Sequence, residues 1–359
     1  MLITNLKIEN FRNYEKLNLD LNKNINVFYG KNAQGKTNII ESIFLCAIGK
    51  SFRTNKDKEL LKFGKDFFKI EIDYKKSDRD GKIKFEFSDK KNIYINGIKV
   101  KKLSELLGII NVVIFSPDDI NILKDGPKMR RRFLDIMISQ LRPNYIYCLN
   151  MYAKTLEQRN IYLKQIKFER KNPDLLDVWD SKLSEYGEKI YRYRKEFMEK
   201  IESKIANIHN NITSNNEKIV LSYVSDFDTK EKFYKDLKEN RINDINRGIT
   251  TKGIHRDDFK VFLNDKDVSI YGSQGQNRTV VLSLKMSELE VIKDEIGENP
   301  ILLLDDFMSE LDSERRKNFL NNIGDTQVFV TCTDKLDIEN LNFYMYNVKD
   351  GKLFFENKQ

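Results

Sequence analysis

Gly30-Lys31-Asn32-Ala33-Gln34-Gly35-Lys36-Thr37 fits the pattern G-x-x-x-x-G-K-[ST], and the residues on both sides supply the context that the pattern requires. Ile25 to Tyr29 is an apolar strand candidate that runs into the loop. Beyond it, Asn38 lies in the first turn of a segment whose apolar residues Ile39, Ile40, Ile43, Phe44 and Ala47 keep helical spacing as far as Gly49. Strand, glycine-rich loop and helix N-terminus together predict a cradle of backbone N–H groups for the phosphates of a nucleoside triphosphate. In such a cradle Lys36 neutralises the terminal phosphates and the Thr37 hydroxyl is suited to Mg²⁺.

A second element lies far downstream. Pro300 precedes Ile301-Leu302-Leu303-Leu304, an apolar run of buried-strand type that ends in Asp305 and Asp306. Asp305 suits Mg²⁺ coordination beside a phosphate loop. Asp306 stands where a carboxylate orients or deprotonates an attacking water, which favours hydrolysis over storage of the nucleotide. Taken alone, an acidic pair after a strand also fits a helix N-cap.

A third element, Tyr271-Gly272-Ser273-Gln274-Gly275-Gln276-Asn277-Arg278, is a polar turn directly before a helix-period run through Val280, Leu284, Ser287, Leu289 and Ile292. The order of elements resembles the ATP-binding-cassette ATPases, in which a signature serine and glycine at a helix N-terminus bind the γ-phosphate held by another subunit. Ser273, Gly275 and Gln276 match the serine, second glycine and glutamine of that signature. Ser309-Glu310-Leu311-Asp312 is similar to the cassette D-loop, and Val328-Phe329-Val330-Thr331-Cys332-Thr333 to the switch strand.

Composition sets limits on this reading. The chain has 359 residues, room for two or three subdomains, and its 40% hydrophobic content suits a water-soluble globular protein. No run approaches the roughly 18 apolar residues of a membrane-spanning helix, and the N-terminus alternates like a strand rather than a signal peptide. Cys46, Cys148 and Cys332 are scattered without metal-ligand spacing, which fits small core residues in a reducing cytoplasm. The net charge of +8 favours a polyanionic partner modestly.

Periodicity predicts the organisation. Antiparallel strands are expected through Leu6–Ile8, Leu17–Leu21, Phe68–Tyr74 and Ile83–Phe87, with a two-residue hairpin at Asn96-Gly97. Ile109 to Phe115 is a continuous apolar strand, and Ser116-Pro117-Asp118-Asp119 then carries the marks of a helix start. From there the pattern turns helical. Trp179, Leu183, Tyr186, Ile190, Tyr193 and Phe197 form a seam that predicts one long amphipathic helix near 174–212. That leaves an ATPase lobe of 1–116 plus 249–359, discontinuous around a helical insert of 117–248.

Two basic segments bear on a polyanionic partner. Lys128, Arg130, Arg131 and Arg132 follow the Gly126-Pro127 break on a short helix, placed for phosphate contacts while Met129, Phe133 and Met137 pack. A charge run of this kind also fits a solvated helix face. The other segment, Gly253-Ile254-His255-Arg256-Asp257-Asp258, holds one of the 2 histidines in the chain; a lone His beside Arg and two Asp also fits an ion-paired turn.

Taken together, Phe11-Arg12-Asn13-Tyr14, Thr37-Asn38-Ile39-Ile40-Glu41, Phe115-Ser116-Pro117-Asp118-Asp119, Arg130-Arg131-Arg132-Phe133-Leu134-Asp135, His255-Arg256-Asp257-Asp258, Ser273-Gln274-Gly275-Gln276 and Leu304-Asp305-Asp306 resemble the bacterial RecF family along essentially the whole chain. Asn277 and Ile254 depart from its common residues, glutamine and proline. The resemblance implies an α/β fold of the ATP-binding-cassette type, similar to SMC heads: a phosphate-loop domain with antiparallel N-terminal strands and an inserted, mostly helical second lobe. It implies ATP and Mg²⁺ as cofactors, an adenine side near Arg12 and Asn13, and catalytic roles for Lys36, Asp306 and Ser273. By the same resemblance the protein is a cytoplasmic DNA-binding ATPase of recombinational repair, which dimerises on ATP, binds duplex DNA and its junctions with single strands, and helps RecA load with RecO and RecR. Hydrolysis is expected to be slow, with Asp306 where transporter cassettes carry Glu and Thr331 or Thr333 serving in place of a switch histidine. An SMC-type structural head that bridges DNA or protein is the alternative; a transporter ATPase subunit is disfavoured by the basic helix and the insert.

Overall fold

The computed structural model describes residues 1–213, 217–307, 319, 324–335 and 343–358. The chain divides into two compact units, Met1–Asp119 with Lys285–Gln359, and Ile120–Leu284. Residues 249–284, which periodicity assigns to the ATPase lobe, therefore group with the second unit. The D-loop candidate Ser309–Asp312 lies outside the described residues.

Among its described residues the first unit contains two six-stranded sheets. One is antiparallel, in the order Tyr14–Asp20, Leu2–Phe11, Phe68–Lys75, Asp80–Phe87, Lys91–Ile95, Ile98–Lys99. Its alternation is that of a half-buried sheet: Phe68, Ile70, Ile72 and Tyr74 face inward while Lys69, Glu71 and Asp73 face out. The predicted Asn96-Gly97 hairpin forms with φ of 51° and 81° at its two central residues, a left-handed pair that fits the twist of the flanking strands.

The other sheet runs Lys352–Lys358, Phe343–Lys349, Ile25–Tyr29, Val328–Cys332, Ile301–Asp305, Val112–Phe115. All but the first pairing is parallel. Ile25–Tyr29, Val328–Cys332 and Ile301–Asp305 are buried at every residue, as a sheet covered on both faces requires. The helix Lys36–Ile48 begins at Gly35 and ends at Gly49, both left-handed caps. Three strands that carry the candidate motifs thus lie side by side, their C-terminal ends at one edge of the sheet. Ligands of open α/β sheets bind at that edge.

In the second unit the expected long helix is present as Leu176–Thr213, 38 residues and about 57 Å long at ~1.5 Å per residue. Leu183, Ile190, Phe197, Ile201 and Ile205 form its buried seam, so it is packed within its own unit rather than projecting as a free arm. Pro143–Glu169 and Lys230–Glu239 are among the helices that cover it. The second unit is mostly helical, as expected, and also holds a small sheet. Ile219–Val224 pairs antiparallel with Asp258–Leu263, and Lys266–Asp267 adds a short third strand. The turn between the last two, Asn264-Asp265, has φ of 49° and 62°.

Charges are buried in this unit in paired sets. Arg159 is fully buried and donates from Nε to Asp180 (2.6 Å) and from Nη1 to Asp244 (2.7 Å) and Thr250 (2.8 Å). Arg241 brings a second guanidinium to Asp180 at 2.6 Å. Asp180→Ala would leave two guanidinium groups without their shared carboxylate, one of them fully inside. The expected loss is about 3–5 kcal/mol of unfolding free energy, read from urea denaturation of the second unit.

Candidate nucleotide-binding site

The loop that opens the Lys36–Ile48 helix is built on left-handed backbone. Gly30, Ala33 and Gly35 have φ of 145°, 64° and 112°. A Cβ at Gly30 would stand 2.5 Å from the Val348 carbonyl oxygen, which cannot move out of a strand, so glycine is required there on two counts. Lys36 curls back over the loop, with Nζ donating to the carbonyls of Gly30 (2.5 Å) and Lys31 (2.8 Å). Burial lowers its pKa, while Asp306, Cys332 and Asp305 oppose that shift. The ammonium is therefore held over the loop in a site that carries opposite charge of its own.

Asp305, at the end of its strand, joins the neighbouring strand to the helix that follows the loop. Its Oδ1 accepts from the Thr37 hydroxyl at 2.7 Å and from the Thr331 hydroxyl at 2.8 Å, and the Thr331 oxygen in turn accepts from the Asp306 N–H at 2.9 Å. Burial pushes the Asp305 carboxyl upward, and the two donated hydrogen bonds hold it down. Of the two switch candidates, Thr331 makes this contact; Thr333 bonds to Asp334 instead. Asp306 has φ of 50°, a left-handed turn that carries the chain away from the strand, and with Lys36, Thr37 and Thr331 it lines a cavity of about 690 Å³. Thr37 and Asp305 present hard oxygen donors next to each other, and no cluster of three or more His, Cys, Asp or Glu suited to a metal occurs among the described residues. A two-donor oxygen site that leaves most positions to ligand oxygens is the sort that Mg²⁺ takes.

Arg12 and Asn13 line the same cavity, yet both side chains are committed to the protein. Arg12 forms a bidentate pair with the buried Glu41 (2.9 and 2.8 Å), which also accepts from Ser51 and Arg53. Asn13 donates to the Gln34 carbonyl at 2.7 Å and accepts from Asn38 at 2.8 Å, so its amide braces the loop from beneath. Residues that periodicity did not single out complete the wall: Arg53, Glu59, Leu61, Lys62 and Phe63, the last fully exposed. No sequence pattern marks them. A further brace, also missed, is the C-terminal hairpin, where the Asp350 N–H donates to Gln34 Oε1 at 2.6 Å. Its Asp350-Gly351 turn is a hairpin signal that was present in the sequence.

The signature candidate, Ser273 to Gln276, lies in the second unit. Ser273 and Gln276 cap the Gln274–Ile296 helix reciprocally: the Gln276 N–H donates to Ser273 Oγ (3.2 Å) and the Ser273 N–H to Gln276 Oε1 (3.0 Å). Gln276 Nε2 continues to Glu217 at 3.1 Å, and Glu217 lies 3.2 Å from the buried His209. Gly275 has ordinary backbone angles, and a Cβ there would meet nothing within 4 Å. Nothing within its own unit requires glycine at this position.

The basic helix forms as Pro127–Leu141, with Phe133 and Met137 buried and Met129 half-buried. One of its four candidate cations is not available. Arg130 is buried and clamps Asp258 with two bonds of 2.6 and 2.9 Å, besides donating to the Ile122 carbonyl. An arginine inside a run of like charges was indistinguishable by sequence from its less buried neighbours. Arg131 is half-buried and donates to the Asp257 carbonyl at 2.6 Å, Arg132 is half-buried, and Lys128 is exposed.

Comparison with known proteins identifies the architecture. The profile described as "RecF/RecN/SMC N terminal domain" matches residues 2–351. A protein of Clostridium tetani named "DNA replication and repair protein RecF" is 45% identical over 99% of this chain and 97% of its own length. The chain belongs to the RecF family. A RecF of Clostridium kluyveri is 46% identical over 98% of this chain and 99% of its own. Among solved structures, that of the recombination mediator protein RecF with ATP, of the RecFOR pathway, superposes with a TM-score of 0.94 at 39% identity, covering 99% of this chain and 98% of that one. An SMC head bound to the C-terminal winged-helix domain of ScpA covers 99% of this chain and 97% of its own with a TM-score of 0.58 at 15% identity, and so shares the fold alone. The RecF family is one of ATP-binding ATPases of the SMC type, and the α/β fold with antiparallel N-terminal strands and an inserted second unit is its fold.

Thr331→Val would remove one hydrogen bond to Asp305 and leave the Asp306 N–H without its acceptor. The unfolding free energy is expected to fall by about 1–3 kcal/mol, read as a lower urea midpoint at unchanged slope.

Proposed function

We propose that this chain is an ATP-dependent DNA-binding protein of recombinational repair and replication maintenance. The observation that carries the reading is the Asp305 carboxylate, which links the loop residue Thr37 to the switch residue Thr331 at the edge of the parallel sheet. The likeness to RecF relatives along nearly the whole chain supports it. ATP binds with its phosphates on residues 30–38 and Lys36 against the β- and γ-phosphates. Thr37 and Asp305 would hold Mg²⁺, which would supply charge neutralisation on the phosphates. Asp306 orients the attacking water. Arg12 and Asn13 shape the adenine side at second hand, through Glu41 and Gln34, and the exposed Phe63 ring offers the base a stacking face.

Ser273, Gly275 and Gln276 act on the γ-phosphate held by a second copy of the chain, so ATP is the adhesive of a homodimer. A glycine with no reason inside its own unit supports this, because an N–H opposite a phosphate needs open approach. Hydrolysis is slow and stimulated by duplex DNA. The DNA partner includes junctions of double and single strands, the protein partners are RecR with RecO and indirectly RecA, and the compartment is the cytoplasm. Among the described residues no helix is long and apolar enough to cross a membrane.

Lys36→Ala is expected to weaken ATP binding by about 100-fold or more, two charge-assisted hydrogen bonds being worth ~1.5–3 kcal/mol each. Calorimetric titration of the well-folded variant with unchanged ATP affinity would remove the reading. Ser273→Arg tests the composite site. It costs the helix its cap, roughly 1 kcal/mol, but leaves residues 30–38 intact. ATP binding to the monomer is expected to persist while ATP-dependent dimerisation and hydrolysis are lost; sedimentation of the variant as a normal ATP dimer would exclude the signature role.

A further inference from the structure

The segment His255-Arg256-Asp257-Asp258 has three of its four side chains turned to internal work. His255 Nδ1 lies 2.9 Å from the Tyr152 hydroxyl and Nε2 lies 3.2 Å from the Thr250 carbonyl. Since a carbonyl only accepts, Nε2 carries the proton and Nδ1 accepts from the tyrosine, the pattern of a neutral ring. Burial lowers its pKa to about 4, and the neighbouring Arg256 and Arg131 charges add to that shift. Asp257 is buried and accepts from Tyr223 (2.5 Å) and Ser225 (2.8 Å). Asp258 takes the Arg130 fork. Arg256 alone is exposed.

What Arg256 faces is a second cavity of about 570 Å³, wholly within the Ile120–Leu284 unit. Lys128 and Arg131 line it from the first turns of the Pro127–Leu141 helix, which has neither a side-chain cap nor an acidic residue in its first turn. Three cations thus meet one carboxylate, Asp125, among the described residues lining the cavity. The neutral His255 adds no charge. Neither the Lys128 nor the Arg256 side chain has a carboxylate partner among the described residues, unlike Arg130 on the same helix. Leu156 and Ile249 supply apolar wall beside the cations. The volume lies within the ~300–1,000 Å³ range of small-ligand pockets, and the pairing of cations with apolar wall matches a phosphate joined to a sugar.

We propose that this cavity is a seat for one backbone phosphate of duplex DNA, gripped by Lys128, Arg131 and Arg256, with the adjoining deoxyribose against Leu156 and Ile249. The inference deepens the DNA-binding reading and rests on it. It replaces a line of cations along one helix face by a pocket drawn from two separated segments, and it gives the His255–Asp258 segment a function. The two carboxylates and the imidazole hold the backbone so that Arg256 points outward. A pocket that recognises one phosphate fixes the register of the protein along the strand without reading sequence.

The test is fluorescence anisotropy of a labelled DNA duplex with full-length protein and ATP across a salt series, using Arg256→Ala, Lys128→Ala and the charge-keeping Arg256→Lys. Removal of either cation is expected to weaken binding about five- to tenfold at ~0.1 M salt and to lower the slope of log affinity against log salt by about one, as loss of one phosphate contact does. Arg256→Lys should retain most of the affinity, with unfolding midpoints unchanged. Wild-type protein that binds the duplex while both alanine variants bind it equally well would overturn the pocket and leave the DNA reading standing. Absence of wild-type binding would overturn both. An oligoglutamate peptide bound by wild type and lost in Arg256→Ala, at unchanged duplex affinity, would reassign the pocket to an acidic protein segment.

Discussion

The carboxylate of Asp305 is the point on which the first unit depends. One buried oxygen receives two hydroxyls, from the helix that follows the phosphate loop and from the neighbouring switch strand. Removed from water, such an oxygen requires full hydrogen-bond satisfaction, and satisfying it ties Ile301–Asp305 to Val328–Cys332 and to the helix Lys36–Ile48 at the edge where ligands of open α/β sheets bind. The backbone register agrees, with Asp305 directly opposite Thr331. The same contacts make the site sensitive to its contents, because charge arriving near Thr37 alters the balance on a carboxyl already pushed upward by burial.

The second unit solves a different problem. Its long helix presents an apolar seam, but Asp180, Arg194 and His209 are buried along the same helix and must be matched. Arg194 is satisfied by Asp135 at 3.0 Å, the Tyr145 hydroxyl at 3.0 Å and the Ile254 carbonyl at 2.8 Å. Arg159 and Arg241 share Asp180 from another side. Each guanidinium joins segments distant in sequence, so these networks specify which helix lies against which loop more than they add net stability.

What sequence made legible was whatever depends on local chemistry. The phosphate loop, the Asn96-Gly97 hairpin, the seam of Leu183, Ile190 and Phe197, and the acidic end of Ile301–Asp305 all follow from spacing or from backbone conformations that few residues tolerate. What escaped depends on partners far along the chain. Arg130 reads like Arg132 until Asp258, 128 positions away, is folded against it. Ile219–Val224 looks helical by its neighbours and becomes a strand because Asp258–Leu263 pairs with it. Arg12 and Asn13 line the cavity beside the phosphate loop, but their commitments to Glu41 and Gln34 are set by tertiary packing that no motif encodes.

The first unit is interrupted in sequence, and its interruption imposes an order on synthesis. Ile25–Tyr29 leaves the ribosome well before its parallel neighbours Val328–Cys332 and Phe343–Lys349, which lie far downstream of it. Residues 120–284, contiguous and compact, are complete before either neighbour exists. During that interval a five-residue apolar strand has no partner for its backbone and no cover for its faces. Such a strand is prone to pairing with other chains, and translation speed through the insert sets how long the nascent polypeptide stays exposed to that hazard.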